Sequence, residues 1–222
     1  MGQIEPSKAS EGCAGAILIS PAAPSLASQA AALWRYRSLI VLLMCRNLVV
    51  VYKQTWLGLG WYWVTPLLSA VVYAFIFGEL VGVATDGVPR LLFYTASVIF
   101  WTLFVGVYGS CQNLLLDNAA LINKVYFPRL TLAFAGALAN LYSFVIQLAI
   151  LLAIWLYYYV TTATLHPSPL LFYAPLALLQ VVLLGMGCGL IVASLAAGLR
   201  DVLYLSTFAV QLLLFVTPVV YP

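Results

Sequence analysis

Charged side chains are so sparse along this chain that their positions alone divide it. From Trp56 to about Val81 the residues are apolar and carry no charge before Glu79. A second run goes from Leu91 to Leu116, a third lies within 130–160, a fourth within 170–197, and a fifth covers Val202 to Tyr221. Crossing about 30 Å of hydrocarbon takes about 20 apolar residues, each rising 1.5 Å along a helix. All five runs reach that length. They are continuous rather than alternating, which argues against a barrel, and lipid offers the backbone no water to bond, so each is read as a helix. The pattern predicts an all-α integral membrane protein with five transmembrane helices at about 56–81, 91–116, 131–160, 170–197 and 202–221.

The stretch from Trp34 to Lys53 behaves differently, because Arg35, Arg37, Arg46 and Lys53 cut it into pieces too short to span. At 100° per residue, Arg35, Arg46 and Lys53 fall within about 20° of one another on a helix. That suits an N-terminal helix lying in the membrane interface with basic heads toward anionic lipid. Leu39, Leu42 and Val49 share the basic side, so a plain juxtamembrane segment with basic anchors remains the alternative. Residues 1–32 are rich in Ser, Ala and Pro, and Glu5 and Glu11 flank the first Lys. A secretory signal needs a basic start and a longer apolar centre. The segment is read as a disordered cytoplasmic tail ahead of a membrane domain at 33–222.

Composition agrees with the pattern. Of 222 residues, 65% are hydrophobic and 7% charged, against about 25% charged in soluble domains. Mean hydropathy is +1.08. The net charge of +3 is no nucleic-acid signal, since the basic residues are spread along the chain. With the N-terminus inside, Arg90 is the only one of the nine Lys and Arg residues in an outer loop. That bias matches the positive-inside rule and sets the predicted orientation. The four cysteines have no metal-like spacing, and neither a disulfide nor a metal site is expected.

Chemistry finds little foothold. No phosphate-binding G-x-x-x-x-G-K-[ST] loop, HExxH, CxxC or GxSxG occurs. His166, the only histidine, falls in a predicted outer loop, so no catalytic residue is assigned. Glu79 and Asp117 sit at span boundaries, which disfavours a buried proton relay. Asn140, Gln147, Gln180 and Gln211 are polar positions within spans, suited either to bonding between helices or to lining a path. Gly185, Gly189, Ala193 and Ala197 recur every four residues and predict a close helix contact. Trp56, Trp61, Tyr62 and Trp63 form an aromatic cluster reaching two turns into the first predicted span. Between the second and third spans, Asp117 to Arg129 reads "DNAALINKVYFPR". Asp117 or Asn118 can cap a short helix, and Pro128 ends it. A short basic loop needs no exposed Leu-Ile or Val-Tyr-Phe, which suggests a docking surface.

Three motifs together resemble the permeases of type-2 ABC exporters, most closely the group exporting O-antigen, capsule and teichoic-acid polysaccharides. They are Arg46 to Leu68 ("RNLVVVYKQTWLGLGWYWVTPLL"), the loop "NAALINKVYFPRL", and "TPVVYP" from Thr217 to Pro222. The resemblance implies a permease homodimer in the bacterial inner membrane, paired with two copies of a separate ATPase that binds ATP and Mg. No cofactor is then expected on this chain, which is a transport subunit and not an enzyme. Lipid-linked glycan would pass between the two permeases, beside membrane lipid, with Trp61 and Tyr62 as candidate channel-lining residues. The loop would be the ATPase-coupling element, giving Leu121, Ile122, Asn123, Lys124, Val125, Tyr126, Phe127, Pro128 and Arg129 the contact role. The family pattern has six spans, so the C-terminal part is expected to be missing here. The alternatives are a type-2 exporter of drugs or other lipids and, in a different class, a passive channel or structural membrane subunit.

Overall fold

In the computed structural model, which describes residues 26–53, 56–83, 87–122, 127–162, 172–217 and 219, the described chain is helical with no strand. Helix α1 covers Leu26–Arg35 and α2 covers Arg37–Lys53. Helix α3 covers Trp61–Tyr73 and continues through a π-helical stretch, Ala74–Leu80. Helix α4 is Arg90–Gln112, followed by two single turns, α5 (Leu114–Asp117) and α6 (Ala119–Ile122). Helices α7 (Leu130–Thr162), α8 (Ala174–Ala196) and α9 (Asp201–Val216) complete it.

Four of these are long and apolar enough to cross a membrane: the Trp61–Leu80 rod, α4, α7 and α8. The chain is a multi-pass membrane protein. The boundaries differ from the sequence expectation for local reasons. Gly58 takes φ 52° and opens a tight turn, so the first span starts at Trp61 rather than Trp56. The tryptophan cluster therefore lies at the start of α3, not two turns inside it. Asn113, at φ −89° and ψ 1°, ends α4 early, so Leu114, Leu115 and Leu116 leave the second span. The fifth predicted span is the 16-residue α9, about 24 Å long and short of the hydrocarbon thickness. Helix α1 begins at Leu26, inside the stretch expected to be a disordered tail; residues 1–25 lie outside the described residues.

The core forms around α4, which packs against α3, α7, α8 and α9. Ile99, Leu103, Val107 and Cys111 of α4 are buried together with Ala133, Ala135 and Ala137 of α7 and Met186 of α8. Ala70 of α3 closes a smaller cluster with Tyr94 and Val98. A side chain on Gly185 would meet Phe104 and Val107, and one on Gly189 would meet Tyr108 and Cys111, so α8 runs parallel to α4. Asn140 of α7 reaches Gly106, and Gly136 faces Ser110, so α7 runs antiparallel. The starts of α3, α7 and α9 thus gather with the ends of α4 and α8 at one end, near Arg46, Arg129 and Arg200. Arg90 and Glu79 pair at the opposite end, 3.2 Å apart and exposed, a contact worth little.

Most of the small-residue ridge on α8 meets α4 of the same chain. Gly185, Gly189 and Ala193 are buried there, while Ala197 is exposed. Without side chains the two backbones approach closely, and dispersion contacts supply the attraction that lipid does not. At Gly189 a Cβ would lie 2.6 Å from Cys111 Cβ and 2.7 Å from the Tyr108 carbonyl oxygen. Gly187, two residues away, has open space around it. Gly189→Ala is expected to lower unfolding free energy in mixed micelles by about 1–3 kcal/mol, whereas Gly187→Ala should leave it unchanged or slightly higher.

Candidate functional site

The segment joining α4 to α7 is built as an elbow. After the break at Asn113, α5 and α6 are each one turn, separated by Asn118 at φ −117° and ψ 16°. The backbone N–H groups of Leu121 and Ile122 bond back to the Asn118 carbonyl at 3.0 and 2.9 Å. The Asn118 side chain does not cap α6. Its Nδ2 donates to the Leu114 carbonyl at 3.1 Å, and its Oδ1 accepts from Arg46 Nη2 at 2.7 Å. Beyond the elbow, the Pro128 carbonyl receives the Thr131 backbone N–H at 3.0 Å and the Thr131 hydroxyl at 2.7 Å, which fixes the start of α7.

The apolar residues of this segment divide between inside and outside. Phe127 is buried in the main core, and Leu121 and Ile122 are half-buried against it. Leu116, Asp117, Ala119, Ala120 and Arg129 are exposed, and Pro128 is half-buried. Asn123, Lys124, Val125 and Tyr126 lie outside the described residues. The docking surface expected from sequence is therefore smaller on the described part. Phe127 anchors the segment to the bundle instead of projecting from it.

Helices α1 and α2 form an almost continuous rod, since Tyr36 N–H bonds to Ala32 and Ile40 N–H bonds to Tyr36, both at 3.0 Å. Ile40 and Leu43 are buried, with Leu33, Tyr36 and Leu39 beside them, and this stripe packs on the α7 side of the core. The rest of the rod is not cleanly amphipathic: Val41, Leu42 and Val50 are exposed together with Arg35, Arg37 and Arg46. Arg37 lies over the Trp34 ring, 5.3 Å from its centroid. Lys53 ends the helix, and its side chain lies outside the described residues.

Two clefts flank α4. A cavity of about 600 Å³ sits between α2, α3, α4 and α7, and Trp61, Tyr62, Trp101, Asn140 and Gln147 are among its walls. Both sequence-nominated channel residues, Trp61 and Tyr62, thus face one cavity. Trp63 beside them donates its indole N–H to the Ile146 carbonyl at 2.9 Å, tying α3 to α7. The second cleft, about 420 Å³, opens between α4 and α9 along Trp101, Val105, Gly109, Gln211 and Phe215. Trp101 and Val105 border both.

Sequence reasoning passed over Gln112, the last residue of α4. It is 7% exposed and binds α9 twice. Ser206 Oγ donates to Gln112 Oε1 at 3.0 Å, and Gln112 Nε2 donates to Thr207 Oγ1 at 3.2 Å. An amide in an apolar run was the available signal. Of the polar positions that were noted, Asn140 donates to the Gly106 and Gly136 carbonyls at 3.1 and 2.8 Å, so it bonds helix to helix. Gln180 is exposed, and Gln211 borders the α4–α9 cleft. Trp101 carried no pattern that singled it out.

Residues 38–222 match the family described as ABC-2 type transporter. Among curated proteins, the O-antigen export system permease protein RfbA of Myxococcus xanthus is 26% identical over 190 residues, covering 86% of this chain and 70% of that protein. A Klebsiella pneumoniae protein of the same name is 25% identical over 184 residues, covering 82% and 68%.

The Arg46–Asn118 bond ties α2 to the elbow on the protein surface. A double-mutant cycle with Arg46→Ala and Asn118→Ala should give a coupling of about 0.5–1.5 kcal/mol; strictly additive losses would show the contact to be energetically silent.

Proposed function

The chain belongs to the ABC-2 type transporter family, and from that premise we propose that it is the membrane-spanning permease subunit of an ATP-driven exporter of lipid-linked polysaccharide. Permeases of this family partner an ABC ATPase. The observation carrying the glycan reading is the match, over more than four-fifths of this chain, to proteins named for O-antigen export. In this reading two permeases and two separate ATPase subunits assemble in a bacterial inner membrane, with the N-terminus cytoplasmic and ATP and Mg held by the ATPase. The cargo is an O-antigen, capsule or related glycan.

The geometry supports a mechanical role for residues 113–122 and 127–129. A push on the exposed faces of α5 and α6 meets three attachments: the Asn113 break, the Arg46–Asn118 bond, and Phe127 in the core. The first passes motion into α4, the second into α2, the third into α7. Because Gln112 adjoins the break and holds Ser206 and Thr207 of α9, rotation of the α4 end also loads the α4–α9 cleft. In this reading the apolar bundle is moved by the cycle of its ATPase partner.

Deleting the gene should remove glycan from the cell surface and leave lipid-linked glycan inside; unchanged surface glycan would overturn the export reading. Ala120→Asp puts a charge on the exposed face of α6 and should leave folding intact while weakening recovery of the ATPase on an affinity-tagged permease. Phe127→Ala should instead destabilise the permease itself by about 3–5 kcal/mol, seen as a lower unfolding midpoint with or without the ATPase.

A further inference from the structure

Gln147 stands apart from the other polar residues in the bundle. It is 4% exposed. It lines the cavity between α2, α3, α4 and α7, and its amide makes no hydrogen bond to any described residue. No fully buried side-chain N or O among the described residues lacks a partner, so the unpaired Gln147 amide is turned to the open space of the cavity. It lies on the same wall as Asn140, whose amide is engaged with the Gly106 and Gly136 carbonyls. A cavity of about 600 Å³ is within the usual range for a small-ligand site, about 300–1,000 Å³.

The lining dictates what fits. Among the described residues it contains no Asp, Glu, Lys or Arg, so a charged group would enter without a counter-charge from them. An acyl chain would leave the Gln147 amide dry and unsatisfied. Three hydroxyls in the wall have already donated their protons: Thr102 to the Val98 carbonyl at 2.7 Å, Ser110 to Val107 at 2.9 Å, and Ser143 to Ala139 at 3.0 Å. Ser110 Oγ already accepts from Asn140 Nδ2 at 3.5 Å, which leaves the Thr102 and Ser143 oxygens to accept. Gln147 supplies both a donor and an acceptor. Trp61, Tyr62 and Trp101 add aromatic wall, which packs against the C–H face of a ring. The occupant must be neutral, rich in hydroxyl donors, and apolar on one face.

We infer that this cavity, formed by four helices of one chain, is a binding subsite for a single neutral pyranose-type ring, with Gln147 as its principal hydrogen-bonding residue. The inference deepens the export reading and rests on it for the source of the ring. That source is a unit of the glycan in transit or the sugar headgroup of a resident glycolipid.

The test places the photo-crosslinking residue p-benzoylphenylalanine at Ser143, and separately at Thr65, in the full chain with its ATPase partner in glycan-producing cells. Leu152, 56% exposed and outside the cavity, is the control. Irradiation should give a carbohydrate-staining adduct at both cavity positions and none at Leu152. Adding Gln147→Leu should cut that adduct at least fivefold while the unfolding midpoint stays level or rises. An adduct that vanishes when glycan polymerisation is blocked identifies the cargo, and one that persists identifies a glycolipid; both support the subsite. Absence of a carbohydrate adduct at both cavity positions, capture of acyl lipid alone, or an adduct indifferent to Gln147→Leu overturns it. Surface glycan that depends on the chain, alongside a failed adduct, removes the subsite and leaves the export reading standing.

Discussion

Helix α4 can bear α3, α7 and α8 around it because side chains are missing, or reduced to a methyl, where those neighbours touch it. Gly185 and Gly189 let α8 lie against the Phe104–Cys111 face, and Gly106 and Gly136 let α4 and α7 meet through Asn140 and Ser110. Ala70 does the same for α3 at Tyr94. In lipid no hydrophobic force draws these helices together, so surface fit and a few buried hydrogen bonds must do it. Each Cβ added at such a contact would push against another helix's backbone or a short side chain, which has nowhere to move.

That close fit leaves α4 little freedom to bend. It is held along its length by packing, and its last residue is clasped to α9 through Gln112. Immediately afterwards the helix breaks at Asn113. A stiff rod with a joint at its end transmits displacement without absorbing it. The rod formed by α1 and α2 is fastened to the far side of the same joint by Arg46, and α7, at 33 residues, is about 50 Å long and exceeds the hydrocarbon thickness. Its start is therefore free to pack with α2 and Phe127 beyond the apolar slab.

The two clefts follow from the same arrangement. Where glycines and alanines pull α7 and α8 inward, the remaining face of α4, marked by Trp101 and Val105, is left uncovered between α3 and α9. Aromatic and neutral polar groups collect there, and ionisable ones stay at the bundle ends.

Much of this was readable along the chain, for physical reasons. Bilayer thickness fixes the length of an apolar run, so α4, α7, α8 and most of the Trp61–Leu80 rod were visible as hydropathy. The four-residue recurrence of Gly185, Gly189 and Ala193 announced a close contact. The helical starts and stops were hidden, because Gly58 and Asn113 act through backbone angles that an apolar tally does not weigh. Which way a side chain points across a bundle depends on neighbours distant in sequence. Phe127 turned inward, Gln112 found Ser206 and Thr207 some ninety residues away, and Gln147 was left beside a cavity rather than a partner. Composition and periodicity settled that this chain lives in lipid and where four of its helices cross; the meeting of faces in three dimensions settled where it bends, what clasps it, and where it is hollow.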